Sequence, residues 1–149
     1  CATTLHAQTG GVDLLLLVHA GATAYLAGLA WTVQLVVYPA FREVGPTPAW
    51  REAHAAHTRR IVLAVGPAWA AQGLCVAALL VLRPGPLVLL TAALALVTVV
   101  STVALQVPLH GRLSAGWDPA AARRLLVTDR LRTAAWTAGA ACALALLRA

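Results

Sequence analysis

Four apolar stretches separated by short polar intervals set the pattern of the chain: Val12 to Val37, Ile61 to Leu82, Leu87 to Val107, and Thr133 to Leu147. A helix needs about 20 residues to cross a hydrocarbon core. The first three are long enough, and the fourth becomes so if it continues back through Leu131. Each boundary carries a helix-ending signal: Tyr38-Pro39, then Arg83-Pro84-Gly85-Pro86, then Pro108. In the polar intervals, Thr47-Pro48 and Asp118-Pro119 each read as an N-cap followed by proline at the first helical position. The spacing predicts helix over Trp50 to Arg60 and a short amphipathic helix over Ala120 to Arg130, lying at the membrane interface. The predicted fold is all-α: a single integral membrane domain over residues 1–149, built as an antiparallel four-helix transmembrane bundle with short interfacial helices in its two large loops.

The halves echo one another, about 12–82 against 87–148. Gln34 with Pro39 is matched by Gln106 with Pro108, Thr47-Pro48 by Asp118-Pro119, and Trp69-x5-Cys75 by Trp136-x5-Cys142. One deletion is needed to align them, and chance matches come easily in an Ala/Leu-rich chain. With or without a duplication, both large loops emerge on one side.

Composition supports lipid as the solvent. The chain is 60% hydrophobic and 11% charged, whereas a soluble domain carries about 25% charged residues. Net charge is +6, and all eleven basic residues are arginine. Lysine is absent beside abundant Ala, Leu and Val, the mark of a GC-rich bacterial coding sequence. The arginines belong to loops and helix ends, with no nucleic-acid motif among them, so nucleic acid is excluded as a partner. Nine of the eleven, from Arg42 to Arg60 and from Arg112 to Arg132, fall on the two-loop side, against Arg83 and Arg148 on the other. The positive-inside rule then puts the loops in the cytoplasm and the termini outside a bacterial cytoplasmic membrane. The first residue is Cys and no Met occurs, so Cys1 is read as following a leader, a tag or an earlier stretch of chain. Cys75 and Cys142 lie in apolar helices and read as small hydrophobes rather than a disulfide.

Against this background a polar cluster stands out. Polar side chains at membrane depth usually face a bundle interior or cavity. His54 and His57, three apart, share a helix face, and His110 joins them from the end of the third stretch. Three imidazoles with open positions suit a transition metal, Cu or Fe first and Zn next. The plainer account has them hydrogen-bonded to headgroups, water or backbone. Haem is disfavoured, because His19 lies far from the others and few aromatic residues are present to line a haem pocket.

Gln34 and Gln106 lie near the ends of their stretches and are candidates to orient substrate or ligands; the competing role is interhelical hydrogen bonding. Arg60 and Arg132, with Asp129 one turn before Arg132, are candidates to neutralise negative charge on a substrate, against snorkelling to lipid phosphate. Trp50 and Trp136 are candidate pocket walls as well as interfacial anchors. Tyr38 is a candidate acid, or a belt tyrosine. Thr98 and Thr102 make one face of the third stretch mildly polar. There is no G-x-S-x-G, Walker-type loop or H-E-x-x-H.

The Gln-x3-Tyr-Pro ending of the first stretch, Trp-x3-His-x2-His from Trp50, Gln-Val-Pro-Leu-His from Gln106 and Asp-Arg-Leu-Arg-x3-Trp from Asp129 together span Gln34 to Trp136. In this combination the chain resembles the small integral membrane proteins of the anthrone-oxygenase-like group, and the resemblance implies oxidation of aromatic polyketide-like substrates. The function expected first is a membrane-embedded, metal-dependent oxidoreductase or oxygenase acting on a lipophilic small molecule near the cytoplasmic face. Two alternatives stand beside it: a metal-free isomerase or cyclase using a histidine base, and a non-enzymatic transporter or accessory subunit. Homo-oligomers and larger membrane complexes are compatible with the Ala/Gly-rich helix faces.

Overall fold

The computed structural model describes the backbone of residues 2–149 and the side chains of residues 11–149. Among the described residues there is no strand, and the chain folds into four rods. The first comprises α1 (Ala2–Thr32), a π-helical segment (Val33–Val37) and α2 (Tyr38–Val44); the second is α3 (Trp50–Leu82). The third comprises α4 (Pro86–Ser101), a second π-helical segment (Thr102–Gln106) and α5 (Val107–Ala115), and the fourth is α6 (Pro119–Leu146). The all-α four-helix architecture agrees with the sequence reading. The first three rods are long and apolar enough to cross a membrane. In α6 the opening half carries Arg123, Arg124, Asp129, Arg130 and Arg132, which breaks its apolar run until Thr133.

The prolines expected to end the first and third spans do not end them. Proline lacks an N–H, and its ring clashes with the carbonyl four residues back. Here the backbone widens just ahead of each: Tyr38 N–H reaches the Val33 carbonyl and Val107 N–H reaches the Thr102 carbonyl, five residues back instead of four. One extra residue in the turn makes room for the ring, and the rod continues. Each proline is the second residue after its π segment. The two halves thus share this device. Their glutamines do not share a place in it: Gln34 is the second residue of its segment and Gln106 the last.

The two segments expected as separate interfacial helices are the opening turns of α3 and α6. Nothing between Trp50 and Ile61, or between Ala120 and Thr133, is a glycine or proline that would break the helix. The large loops therefore shrink to short turns after Val44 and Ala115. With 33 residues, α3 is about 50 Å long, against a hydrocarbon core of about 30 Å. Arg51, Glu52, Arg59 and Arg60 crowd its opening turns, so the excess projects on that side.

In cross-section the rods form a ring. α1 packs on α3 and α6, α4 packs on α6, and the α3–α4 seam is the loosest of the four. Three clusters stack along the axis. Tyr38, Phe41, Trp50, Leu113 and Leu125 lie in the cluster at the turn end. Leu26, Ala30 and Trp136 form the middle one. Leu16, Leu79, Val88 and Leu146 close the far end. The outward faces are apolar, with Leu63, Leu74 and Val81 each more than 70% exposed, as lipid contact requires. Cys75 and Cys142 are both free thiols.

Candidate functional site

The first and middle clusters leave a cavity of about 310 Å³ between them, within the size range of small-molecule sites. α1 contributes Leu26, Ala30 and, just beyond it, Val33, while α3 contributes His57, Ile61, Val65 and Trp69. Thr102, Gln106 and His110 enter from the third rod, and Arg132 and Trp136 from α6. Tyr38 stands at the junction. The walls are apolar and aromatic, and the polar groups gather at the turn end.

His54, His57 and His110 do come together, as the sequence suggested. The His54 and His110 rings stack with centroids 5.3 Å apart, and His57 stacks on His110 at 6.0 Å. Trp50 lies flat on His54 at 4.9 Å, and Phe41 turns its edge toward His57 at 4.9 Å. Trp50 is fixed in turn by donating Nε1–H to the Leu113 carbonyl at 2.9 Å. His54 is almost fully buried behind this aromatic layer, whereas His57 and His110 reach the cavity.

One order of imidazole protons satisfies the contacts of Ser114, His54 and His110 together. Ser114 has one hydroxyl hydrogen and donates it to the His110 carbonyl at 2.9 Å. Its oxygen, 3.5 Å from His54 Nδ1, is left to accept from that nitrogen. His54 Nε2 then holds a lone pair and accepts from His110 Nδ1 at 3.1 Å. In that order His110 Nε2 carries the free lone pair. Ser114 is exposed, so the chain Ser114–His54–His110 links the polar surface to the cavity.

His54 Nε2 and His110 Nδ1 are close enough to share one ion. A catalytic site with open positions takes three protein ligands, however, and among the described residues no group of three or more His, Cys, Asp or Glu side chains has the geometry to hold one. His57 is set 6.0 Å from His110, ring centroid to centroid.

Across the cavity, Arg132 donates from both Nε (2.9 Å) and Nη2 to Asp129 Oδ1. Its Nη1 reaches Thr102 Oγ1 at 3.4 Å, and its guanidinium lies 5.3 Å from the Trp136 ring centroid. Asp129 is fully buried behind it, with Oδ2 unpartnered.

The remaining sequence candidates divide. Gln106 lines the cavity and donates to Thr128 Oγ1 at 3.0 Å, leaving Oε1 buried and unpartnered. Gln34 does not line it. Gln34 Nε2 donates to the Leu126 carbonyl at 3.3 Å, so its role is to hold α6 against the first rod. Trp50 and Asp129 stand behind the wall, supporting His54 and Arg132. Arg60 borders a more open hollow between α1 and α3 that shares Leu29, Val33, His57 and Ile61 with the cavity.

Three contributors were missed from sequence. Ser114 was legible only as the residue one turn after His110. Gln72 is a lone amide in an apolar helix. It accepts from Trp136 Nε1 at 3.2 Å and donates to Thr23 Oγ1 at 3.2 Å, which fixes the indole against the cavity. Trp69 meets Trp136 edge to face at 6.2 Å. His19, at the far end, is fully buried with both ring nitrogens unpartnered. Comparison of the chain with protein-family models, curated proteins and solved structures found no match.

Proposed function

We propose that this protein is a membrane enzyme that moves a proton on a lipophilic carbonyl compound, in the manner of an isomerase or cyclase, with a histidine as general base. What carries this reading is the Ser114–His54–His110 chain, which in the order given above leaves a basic nitrogen at one end of an apolar cavity with a guanidinium across it. His110 Nε2 takes a proton from the carbon next to the substrate carbonyl. The electron pair of that C–H bond moves to the carbonyl oxygen, and the resulting enolate oxygen is held by Arg132. The imidazolium then returns the proton to a different carbon, so no oxidant or reductant is consumed. His54 disperses the transient charge toward Ser114. Trp69 and Trp136 exclude water and favour a flat substrate. The distribution of arginines supports a turn end facing the cytoplasm of a bacterium and termini outside.

A lipophilic phenol tests the reading without knowledge of the substrate. 2-Naphthol mimics the enolate, and its ionised form absorbs at longer wavelength. Detergent-purified wild type is expected to bind naphthol and raise its ionised fraction at neutral pH, and His110→Ala is expected to lose this. Binding of neutral naphthol alone, or equal ionisation in the variant, would overturn the assignment.

The metal-dependent oxidoreductase reading retains one supporting observation, the 3.1 Å approach of His54 Nε2 to His110 Nδ1. Elemental analysis of wild type beside a His54/His57/His110 triple alanine variant decides it. Near-stoichiometric Cu, Fe or Zn, lost in the variant, would replace the acid–base reading.

A further inference from the structure

The α3–α4 seam is fastened at both ends. The short Arg83–Gly85 turn joins the helices at one end, and at the other Trp50 bonds to Leu113 and His54 to His110. Between these fastenings it is the loosest seam of the ring. Val62 on α3 and Val107 on α5 both line the cavity, yet they are 64% and 60% exposed. The cavity wall is therefore also the outer wall of the bundle, and Val99 farther along the same seam is likewise apolar and exposed.

A second hollow, of about 400 Å³, runs along the same seam between Gly66, Gly73, Ala95 and Val99, and it shares Gly66 and Trp69 with the cavity. Gly66 is the point where the two meet. A Cβ placed there would touch nothing within 4 Å, so glycine is not required by packing. Its bareness keeps the passage wide. The next residue, Pro67, withholds an N–H from the Leu63 carbonyl inside α3, which loosens the helix at this level.

We infer that the α3–α4 seam at Gly66 is a lateral portal through which a bilayer-dissolved substrate enters the cavity from the acyl-chain region. The portal admits uncharged, lipophilic molecules and bars ions, because its rim of Val62, Val99 and Val107 carries no polar group. The inference rests on the cavity being a site for a lipophilic molecule. It adds the route, and with it the substrate class: a compound that partitions into membranes and has no permanent charge. A water-soluble substrate would instead have to enter past Arg60, through the hollow between α1 and α3.

Trp136 is 3% exposed, so a quencher dissolved in the bilayer reaches it only by entering the cavity. The experiment uses the full chain in phospholipid nanodiscs, with 1-bromooctane as the bilayer-borne quencher and acrylamide as the aqueous one. The emission of Trp136 is taken as the difference between wild type and Trp136→Phe. Bromooctane is expected to quench that emission at least fivefold more efficiently than acrylamide. Gly66→Leu, which fills the passage, is expected to cut bromooctane quenching severalfold, and Gly66→Ala to leave it nearly intact.

Preferential quenching by acrylamide, or unchanged bromooctane quenching in Gly66→Leu, would overturn the portal. A change of oligomeric state in Gly66→Leu by light scattering would assign the seam to contact with a second copy, and would overturn it too. His110→Ala in the same assay separates the portal from the proposed chemistry. Retained bromooctane entry with lost naphthol ionisation supports both readings. Naphthol ionisation that depends on His110, with no bromooctane entry through Gly66, leaves the chemistry standing and removes the portal.

Discussion

The Ser114 hydroxyl donates to the His110 carbonyl oxygen one helical turn back, at 2.9 Å, which leaves its oxygen free to accept from His54 in the proton order proposed above. Nitrogen-15 NMR of histidine-labelled protein should show His54 and His110 both protonated at Nδ1. Ser114→Ala should populate the reversed order, with Nε2–H on both rings. Protonation of wild-type His110 at Nε2 would mean that its lone pair points away from the cavity, and the base would have to be His57.

Asp129 and Arg132 form a largely buried ion pair, with side chains 0% and 15% exposed. Removing one partner strands the other charge, so Asp129→Ala is expected to destabilise the bundle by about 3–5 kcal/mol. Replacing both by leucine and methionine should restore most of that stability while abolishing naphthol ionisation. Unfolding in a denaturing detergent, followed by helical circular dichroism, measures the first effect. A double variant no better than Asp129→Ala would show that the pair is held by more than mutual neutralisation.

Gly45 sits in the turn between α2 and α3, and a Cβ there would overlap the Trp117 ring. Trp117 in turn meets Trp50 edge to face at 4.8 Å. Gly45→Ala is expected to cost about 1–3 kcal/mol through overpacking and to shift tryptophan emission as the pair separates. A Trp117→Ala background should relieve the strain, and failure to do so would place the cost in the turn backbone.

Asp118 caps α6, accepting from Ala120 and Ala121 N–H at 2.9 Å each and pairing with Arg112. The Ala121 N–H first, then Arg112, hold its carboxyl below the usual 3.8. A carboxyl depressed in the fold contributes stability at pH values above its ordinary range, and that contribution is lost as pH falls through the native value. Asp118→Ala should therefore lower the melting temperature at neutral pH, and the gap to wild type should close as pH drops below 3.8. A gap that persists in strong acid would assign the effect to backbone geometry instead of charge.

The lengths of the apolar runs made the rods legible, because length and apolarity alone mark a candidate membrane span. The rod ends were not legible at Pro39 and Pro108, since a π turn that rescues a proline leaves no compositional trace. The convergence of His54, His57 and His110 could be read from their placement on one side of the bundle. Their stacking could not, because ring orientation depends on Trp50 and Phe41 packing behind them. Gln34 and Gln106 looked equivalent in sequence. They differ in the fold because they occupy different places in their widened turns, one against Leu126 and the other against the cavity.

The two widened turns have a consequence for how this chain tolerates change. Deleting one residue from Val33–Val37 would restore a regular turn and leave Tyr38 and Phe41 facing where they do now, but it would drive the Pro39 ring against the carbonyl four residues back. The same deletion in Thr102–Gln106 would keep the facing of His110 and Ser114 and put the same clash at Pro108. Substitutions at the exposed Val36 or Val103 should be nearly silent, yet losing either residue outright would kink its rod at the proline beside the site. At these two places the chain constrains residue number more tightly than residue identity.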